Sequence, residues 1–276
     1  MRQNPSFAMT DVGELRRLLD AHPWATIASS PEGGLVASQY VVLLDPTRDD
    51  LTVVGHVGRP DDLVHELGEH ENIIVFQGPH GYISPGWYGD VQAVPTWNFT
   101  TVHLSGVPEI LSAEENYRVL AEMVERFESV MPNPRLMEAE PNDPAFLARL
   151  ASGTGGVRLA PSEAGARRKS SHTKAENVDE TILTALDGDG PYANAELATE
   201  MRRAHDALAA GRAARAAAVL AAAAGGTGRG RRRVRAHLYR RHDRPAQGRG
   251  AHAPRARDDV PDRDGRLGLA AGHSLS

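Results

Sequence analysis

The sequence predicts a mainly β fold, an antiparallel barrel with peripheral helices, on three observations. Five or six short strand-like segments are separated by turn-forming residues. Most of these segments follow one another without an intervening helix, whereas a doubly wound α/β sheet needs a helix after nearly every strand. The chain also lacks the Gly-x-Gly-x-x-Gly and Walker-type loops that accompany such sheets.

The first half of the chain alternates strands with two short helices. A capping box at 11–14 predicts a helix over residues 11–21, and apolar residues at helical spacing predict another over residues 61–70. Turn residues at 31–34 and 46–50 separate strand-like segments. Strands are expected over residues 24–30, 35–45, 51–57 and 72–77.

The second half is richer in helix. A strand is expected over residues 96–110, and a capping box at 112–115 opens a helix that extends to about residue 130. A loop rich in Pro and Asn over residues 131–145 separates this helix from the next one. Further short helices are expected over residues 143–150, 175–187 and 193–206, and a last strand over residues 156–160.

Charge divides the chain into two parts. Residues 1–206 contain 16 Lys and Arg against 31 Asp and Glu, a net charge of −15, and are expected to form the folded domain. Residues 207–276 contain 15 Arg against 5 Asp, a net charge of +10. Ala207–Ala224 has high helix propensity, and the rest of this tail is expected to be disordered. The tail is either a basic nucleic-acid-binding segment or the product of a GC-rich gene read out of frame. The abrupt loss of whole residue types after about residue 206 favours the out-of-frame interpretation.

Several chemistries are excluded or weakly supported. The absence of Cys excludes disulfides, thiolate catalysis and cysteine-ligated metals. His65 and His70 resemble the ends of an HExxH motif, but their spacing places the rings about 140° apart around a helix, so no metal site is expected. Ser84 does not lie in a nucleophile elbow. No catalytic residue is assigned, and by side-chain type alone His56 or His80 would be the acid–base candidates.

The stretch Gly78–Asn98 concentrates rings among residues that break regular structure. It holds two of the three Trp and two of the six Tyr, together with three Pro and four Gly. Trp and Tyr mixed with Ser, Thr and Asn suit a planar, partly polar ligand. The alternative is a surface loop above a small aromatic cluster.

Two cationic positions suit an anion. Arg59 follows a strand and precedes a helix, where it is placed to pair either with a phosphate or with Asp61 or Asp62. The run of basic and hydroxyl residues at 167–174 is the one basic cluster in the acidic domain. It is interpreted as a phosphate or dimer contact rather than a solvated loop.

Three ordered motifs carry a resemblance to a known family. They are GHxxRP at 55–60, VFQGPHGYISPxWY at 75–88 and VPTWNxxxVH at 94–103. Together they resemble the PaiB-type FMN-binding negative transcriptional regulators, over about residues 5–206. The resemblance implies an FMN-binding split β-barrel of the pyridoxamine-phosphate-oxidase kind, a homodimer, and FMN held between the protomers. Of the family segment Lys-Leu-Ser-Gln-Asn, this chain retains only Lys169 and Ser171.

The resemblance also suggests roles for ten cofactor-binding residues. Arg59, Lys169 and Ser171 are expected near the phosphate of FMN. Trp87, Tyr88 and Trp97 are expected to pack around the ring system. His56, Ser84, Thr96 and Asn98 are expected as polar partners. For each Trp the alternative role is that of a core or dimer-interface residue. For Trp97 this alternative is favoured, because Trp97 lies inside a predicted strand.

The expected function is that of an FMN-binding negative regulator of transcription. The alternatives are a flavin-dependent oxidoreductase on the same barrel and a structural dimer without flavin. A domain of net charge −15 repels DNA, and residues 1–206 show no helix-turn-helix signal with a basic recognition helix. Regulation is therefore expected through flavin or a partner.

The N-terminal segment has no apolar run typical of a secretory signal, and no stretch approaches the length of a membrane-spanning helix. A cytoplasmic protein without membrane contact is therefore expected.

Overall fold

The computed structural model describes residues 5–89, 92–139, 142–171 and 176–225. The strands are β1 (Trp24–Ser29), β2 (Val36–Leu44), β3 (Val53–Gly58), β4 (Asn72–Ile83), β5 (Thr96–Gly106), β6 (Glu109–Ile110), β7 (Thr154–Leu159) and β8 (Glu163–Lys169). The helices are α1 (Val12–Ala21), α2 (Asp61–Val64), α3 (Ala113–Glu128), α4 (Pro144–Ser152), α5 (Glu176–Asp187) and α6 (Ala195–Gly225), with 3-10 turns at Pro5–Phe7 and Pro85–Tyr88.

All eight strands belong to one antiparallel sheet in the order β6-β7-β3-β2-β1-β4-β5-β8. One hydrophobic cluster, here called the main core, takes residues from seven of these strands. Because strands so far apart in the sheet order share one core, the sheet curls into a half-barrel. The predicted fold class, a mainly β split barrel with peripheral helices, is confirmed.

Strand alternation and α1 fill the main core. Ile27, Phe76 and Leu104 point inward and are 3%, 1% and 0% exposed, while their strand neighbours point to the other face. Helix α1 adds a leucine stripe at helical spacing that covers the same interior. Its start is fixed by Asp11, whose carboxylate accepts a hydrogen bond from the backbone N–H of Glu14 at 2.9 Å.

A second hydrophobic cluster lies where β4 ends. Helices α5 and α6 pack there against Ile83 and Tyr88, and Ile182 and Met201 are fully buried among them. An ion-pair network holds α6 from the other side, because buried Glu200 pairs with arginines of α1 and β8. This second cluster therefore fixes the polypeptide that joins β4 to β5.

The structure differs from the sequence prediction in three elements. Helix α2 ends at Val64, since Glu66 and Gly68 adopt positive φ angles of 47° and 90° that end a right-handed helix. Strand β4 continues through the predicted loop to Ile83, with a register shift at Gln77–His80 that accommodates Gly78 and Pro79.

The basic run at 167–169 belongs to a strand rather than a loop. Pairing of β8 with β5 on one side, and a bridge from Ala8 to Arg167 on the other, provides hydrogen-bond partners that the sequence pattern did not reveal. Helix α6 joins the helix predicted at 193–206 to the alanine-rich segment as far as Gly225. The predicted disorder of the remaining tail lies outside the described residues.

None of the helices in the described ranges combines the length and the apolar character that crossing a membrane requires.

Candidate functional site

The outer face of the sheet, which points away from the main core, carries an open recess of about 490 Å³. Thr26 of β1 faces outward here because its neighbours Ala25 and Ile27 fill the main core, and Gln39 of β2 lies on the same face because it is the cross-strand partner of Thr26. Helix α3 contributes Phe127. The residues that line this outer-face recess include Trp24, Thr26, Gln39, Val41, Gln77 and His80.

The lining combines polar groups with exposed rings. The volume of the outer-face recess falls within the range of about 300–1,000 Å³ that is typical of small-molecule pockets. The side-chain amides of Gln39 and Gln77 offer both hydrogen-bond donors and acceptors. Trp24 and Phe127 are 61% and 44% exposed, which leaves apolar ring surface available to a ligand. The outer-face recess therefore suits a planar molecule with a polar edge.

His80 connects the recess to a row of aromatic rings. Its Nδ1 lies 3.0 Å from the carbonyl oxygen of Gly78, which fixes the ring against its own strand. The ring of Trp97 stacks on His80 with centroids 6.4 Å apart, and Tyr82 meets Trp97 edge-on at the same separation. Tyr192 continues the row at 4.7 Å from Tyr82. Trp97 is 55% exposed, so it lies on the surface of the protomer and not in a core.

His56 and Arg59 lie together near the end of β3. The Nδ1 of His56 is 3.3 Å from the sulfur of Met123 in α3, and burial lowers the pKa of this imidazole. Arg59 pairs with the carboxylate of Asp62 at 2.5 Å. The structure thus contains the carboxylate pairing that was one of the two sequence interpretations of Arg59.

Ser84, Trp87 and Tyr88 form the 3-10 turn that follows β4. The hydroxyl of Ser84 accepts a hydrogen bond from the backbone N–H of Gly86 at 3.2 Å, as an N-cap does. Tyr88 is buried in the second cluster, and Trp87 packs against that cluster. The carbonyl of Trp87 also accepts a hydrogen bond from the hydroxyl of Thr181 at 2.6 Å. These contacts attach the turn to α5.

Asn98 and Ser171 meet inside the protein. The amide of Asn98 donates to the Ser171 hydroxyl at 2.9 Å and to the sulfur of Met201 at 3.3 Å. Both residues are buried, at 0% and 7% exposure. Nearby, the ammonium of Lys169 donates a hydrogen bond to the hydroxyl of Thr96. These four residues join the start of β5 to the end of β8 and to α6.

The ten predicted site residues therefore fall into two groups. His56 and Arg59 lie at β3, whereas the other eight surround the end of β4, the start of β5 and the end of β8. Strands β2 and β1 separate the two groups in the sheet.

A second cleft, of about 410 Å³, lies between α3, α4 and β7. Arg59, Tyr117 and Thr154 line it, together with Asn116, whose side-chain amide donates to the Thr154 hydroxyl at 2.9 Å. The side-chain oxygen of Asn116 is buried. Arg59 is the one residue of this cleft that the sequence singled out.

The two histidines of the HExxH-like segment diverge, but not through the helical spacing assumed from the sequence, because helix α2 ends at Val64 before either of them. His65 is fully buried, with its ring nitrogens 2.8 Å from the Ser29 hydroxyl and 3.0 Å from the Ser38 hydroxyl. His70 instead lies at the surface, where a nitrogen of its ring is within 4.8 Å of a carboxylate oxygen of Glu66 and of one of Glu69. The two imidazoles therefore do not share an ion.

Sequence reasoning missed the floor of the outer-face recess. Thr26 lies between the buried Ala25 and Ile27, and Gln77 follows the buried Phe76, so strand periodicity carried the signal for an outward position at these two residues but not at Gln39. Polar residues on the solvent face of an antiparallel sheet are ordinary, however. Only the curvature of the sheet and the position of α3 turn these residues into a recess.

A curled antiparallel sheet with this recess belongs to the class of flavin-binding split barrels. The recess fits an isoalloxazine ring, since Gln39 and Gln77 supply complementary donors and acceptors for its polar edge while Trp24 and Phe127 supply packing surface. Residues 1–162 match the family described as "Putative FMN-binding domain". The chain belongs to this family, and its cofactor is the flavin FMN.

Related proteins were also found among curated sequences and solved structures. The protein "Protease synthase and sporulation protein PAI 2" of Bacillus subtilis (strain 168) is 27% identical over 182 residues, which cover 65% of this chain and 86% of that protein. The flavocytochrome Anf3 of Azotobacter vinelandii is 16% identical, with a TM-score of 0.48 over 61% of this chain and 72% of that one. An FAD and heme binding protein of Mycobacterium smegmatis is 18% identical, with a TM-score of 0.46 over 67% of this chain and 81% of that protein.

Proposed function

We propose that this chain is an FMN-binding negative regulator of transcription that acts through its flavin or through a partner protein. Membership of the FMN-binding family supports the flavin part of the proposal. The name of the Bacillus subtilis relative refers to protease synthesis and sporulation, which supports a regulatory role. The observation that carries the proposal is the outer-face recess with its carboxamide and aromatic lining.

The charge of helices α3 and α5 argues against direct binding to DNA through them. Helix α3 carries five Glu against two Arg, and the charged residues of α5 are all acidic. A helix that enters a DNA groove must instead present cations to the phosphates. We therefore propose that the signal passes to another protein or a metabolite.

The outer-face recess is the proposed position of the flavin ring. Thr26, Gln39 and Gln77 would bind the polar edge of the ring, while Trp24 and Phe127 pack against its faces. Bound FMN supplies one- and two-electron redox chemistry, and the chain supplies orientation and control of solvent access.

A second copy of the chain is the proposed cover of this face, as the resemblance implies. Trp24, Trp97 and Phe127 expose 61%, 55% and 44% of their surface, and exposed aromatic surface is typical of interfaces. In such a homodimer, the group at His56 and Arg59 would come from one protomer and the group around Trp97 from its partner.

The buried and half-buried members of the predicted set are proposed to support the site without lining the recess. Asn98 and Ser171 hold β5 to β8, while Ser84, Trp87 and Tyr88 hold the turn after β4 to α5. Thr96 and Lys169 lie beside Trp97, at the border of the aromatic row.

The test is flavin binding by the full chain. Purified protein is expected to show flavin absorbance between about 350 and 500 nm, or to acquire it when FMN is added. Thr26→Trp places a large ring in the recess and is expected to weaken FMN binding at least about tenfold, a free-energy loss of about 1.4 kcal/mol. Leu35→Trp is the matched control, because Leu35 is 88% exposed and does not line the recess. No flavin binding by the wild type would remove the proposal.

Two further measurements separate the remaining functions. Rapid, catalytic oxidation of NADPH by the FMN-loaded protein would favour the alternative of a flavin-dependent oxidoreductase. Fluorescence anisotropy with labelled DNA at physiological salt is expected to give at most non-specific affinity, with a Kd of about 10⁻⁶ M or weaker. Tighter binding with sequence preference would contradict regulation through a partner.

A further inference from the structure

We propose that His65 is a positioning residue of the flavin site, which it reaches through a directed chain of hydrogen bonds that ends at the turn between β3 and α2. This inference rests on the function proposed above, in which the group at His56 and Arg59 belongs to the flavin site. Arg59 lies in this turn, so the contacts that fix the turn also fix the position from which the Arg59 side chain extends.

His65 follows the last residue of α2 and is fully buried. Burying an imidazole costs free energy that an apolar side chain would not, unless the ring nitrogens find partners inside the protein. Both nitrogens do, since Nδ1 lies 2.8 Å from the hydroxyl of Ser29 on β1 and Nε2 lies 3.0 Å from the hydroxyl of Ser38 on β2. The histidine therefore does more here than fill space.

The positions of the protons in this network follow from Asp61. Its carboxylate accepts hydrogen bonds from the hydroxyls of Tyr40 at 2.8 Å and Ser38 at 2.9 Å, and these bonds lower the pKa of Asp61. Because an ionised carboxylate only accepts, Ser38 gives its one proton to Asp61, and its oxygen accepts the Nε2–H of His65. Burial lowers the pKa of His65, so the ring is neutral and carries one N–H. Nδ1 is therefore the acceptor, and it receives the proton of Ser29.

The chain of hydrogen bonds ends on the backbone of the turn. The hydroxyl of Tyr40, which donates to Asp61, accepts a hydrogen bond from the backbone N–H of Gly58 at 3.2 Å. The carbonyl oxygen of Asp61 accepts the backbone N–H of His65 at 2.9 Å. Asp61 is thus tied to His65 by its main chain and, through Ser38, by its side chain. Linked hydrogen bonds polarise one another, so the loss of the His65 donor weakens the contacts of Asp61 and Tyr40 as well.

The turn is held from two sides. On one side, the backbone N–H of Arg59 donates to the carbonyl oxygen of Gly153, just before β7, at 3.0 Å. On the other side, Tyr40 of β2 holds Gly58 and the carboxylate of Asp61. Arg59 lies between these two attachments, because Gly58 precedes it and Asp61 follows two residues later. A change at His65 therefore shifts one side of the turn and carries Arg59 with it.

The test measures FMN affinity by fluorescence titration of the flavin-free full chain. His65→Leu removes both ring nitrogens and is expected to weaken FMN binding about tenfold, or about 1.4 kcal/mol. His65→Gln keeps one donor and one acceptor, and its affinity is expected to stay within about threefold of the wild type, roughly 0.7 kcal/mol. Leu19→Ala is the matched control, because Leu19 is fully buried in the main core and is no member of the network. It is expected to lower Tm while FMN affinity is unchanged.

Tyr40→Phe removes only the hydroxyl at the other end of the chain and is expected to weaken FMN binding to a similar extent. Because both residues act through one chain, the double variant with His65→Leu should bind about as tightly as the weaker single variant. Losses that multiply in the double variant would overturn the role of His65.

Other results would also overturn it. They are wild-type affinity in His65→Leu, no recovery in His65→Gln, and equal weakening by Leu19→Ala. If His65→Leu does not fold, Tyr40→Phe and His65→Gln decide the question, and any result other than weakened FMN binding in Tyr40→Phe alone overturns the inference. Absence of FMN binding by the wild type would instead contradict the proposed function itself.

Discussion

Replacing Glu200 by Gln should destabilise the protein strongly although it removes only one charge. Glu200 is 6% exposed at its side chain and accepts contacts from Arg17 at 2.7 Å and from Arg168 at 3.4 Å. Breaking a buried ion pair by removing one partner costs about 3–5 kcal/mol. Both arginines retain Glu14, at 3.3 and 3.4 Å, so we expect a smaller loss of about 2–3 kcal/mol. In a domain of this size, 1 kcal/mol corresponds to about 2–4 °C in Tm, which gives a decrease of about 4–12 °C.

The measurement is urea unfolding followed by circular dichroism, with calorimetry for Tm. Asp187→Asn is the matched control, because Asp187 and its partner Arg202 are 40% and 46% exposed and a surface pair contributes at most about 1 kcal/mol. Equal losses in Glu200→Gln and Asp187→Asn would refute the reasoning. So would a Glu200→Gln variant that retains the stability of the wild type.

Three further predictions test the packing, a helix start and the pH dependence of stability. Gly81→Ala adds a methyl group 2.9 Å from a leucine methyl of α6 and should cost about 1–3 kcal/mol in urea unfolding, whereas Gly190→Ala, with nothing within 4 Å, should be neutral. Ser112→Ala removes the reciprocal capping box of α3 and should cost about 1 kcal/mol; a Tm equal to that of the wild type would contradict this. Burial lowers the folded-state pKa of His56 and His65, so below the unfolded value of about 6.5 the unfolded chain binds more protons. Stability should therefore be complete above that pH and decrease as the pH falls toward the folded pKa values; a flat urea-unfolding profile from pH 5 to 8 would contradict this.

The sequence predicted most of the fold because its local signals agreed with the tertiary structure. The capping box at Ser112 and the turn residues around β1 and β2 predicted the bounds of α3, β1 and β2 to within one or two residues of those observed. Strand β8 was missed, because three consecutive basic residues look solvated until β5 supplies a ladder of partners. The end of helix α2 was also missed, since the positive φ of Glu66 depends on packing rather than on composition.

The candidate site was harder to predict than the fold. Motif resemblance led to Trp97, which lies on the exposed aromatic row, but also to Asn98, whose neighbouring position on the strand points into the protein. Adjacent residues in a strand face opposite sides, so a contiguous motif always mixes both kinds of position. Sequence likeness alone does not separate residues that touch a ligand from residues that hold the strand in place.

The distribution of charge shows how an acidic domain can accept an anionic cofactor. The six contiguous strands from β7 through β3, β2, β1, β4 and β5 contain no Asp or Glu, so the negative charge lies on the helices, the connections and the edge strands. Arg158 of β7 is the one Lys or Arg in these strands, and it is occupied by Asp45, Glu109 and Glu115. An anion on the outer face would therefore meet histidines and hydroxyls at close range, while exposed carboxylates more than about 10 Å away are largely screened at ordinary salt. A DNA duplex extends beyond this face and would meet the acidic helices as well. The same net charge of −15 thus opposes DNA while leaving the outer face open to FMN.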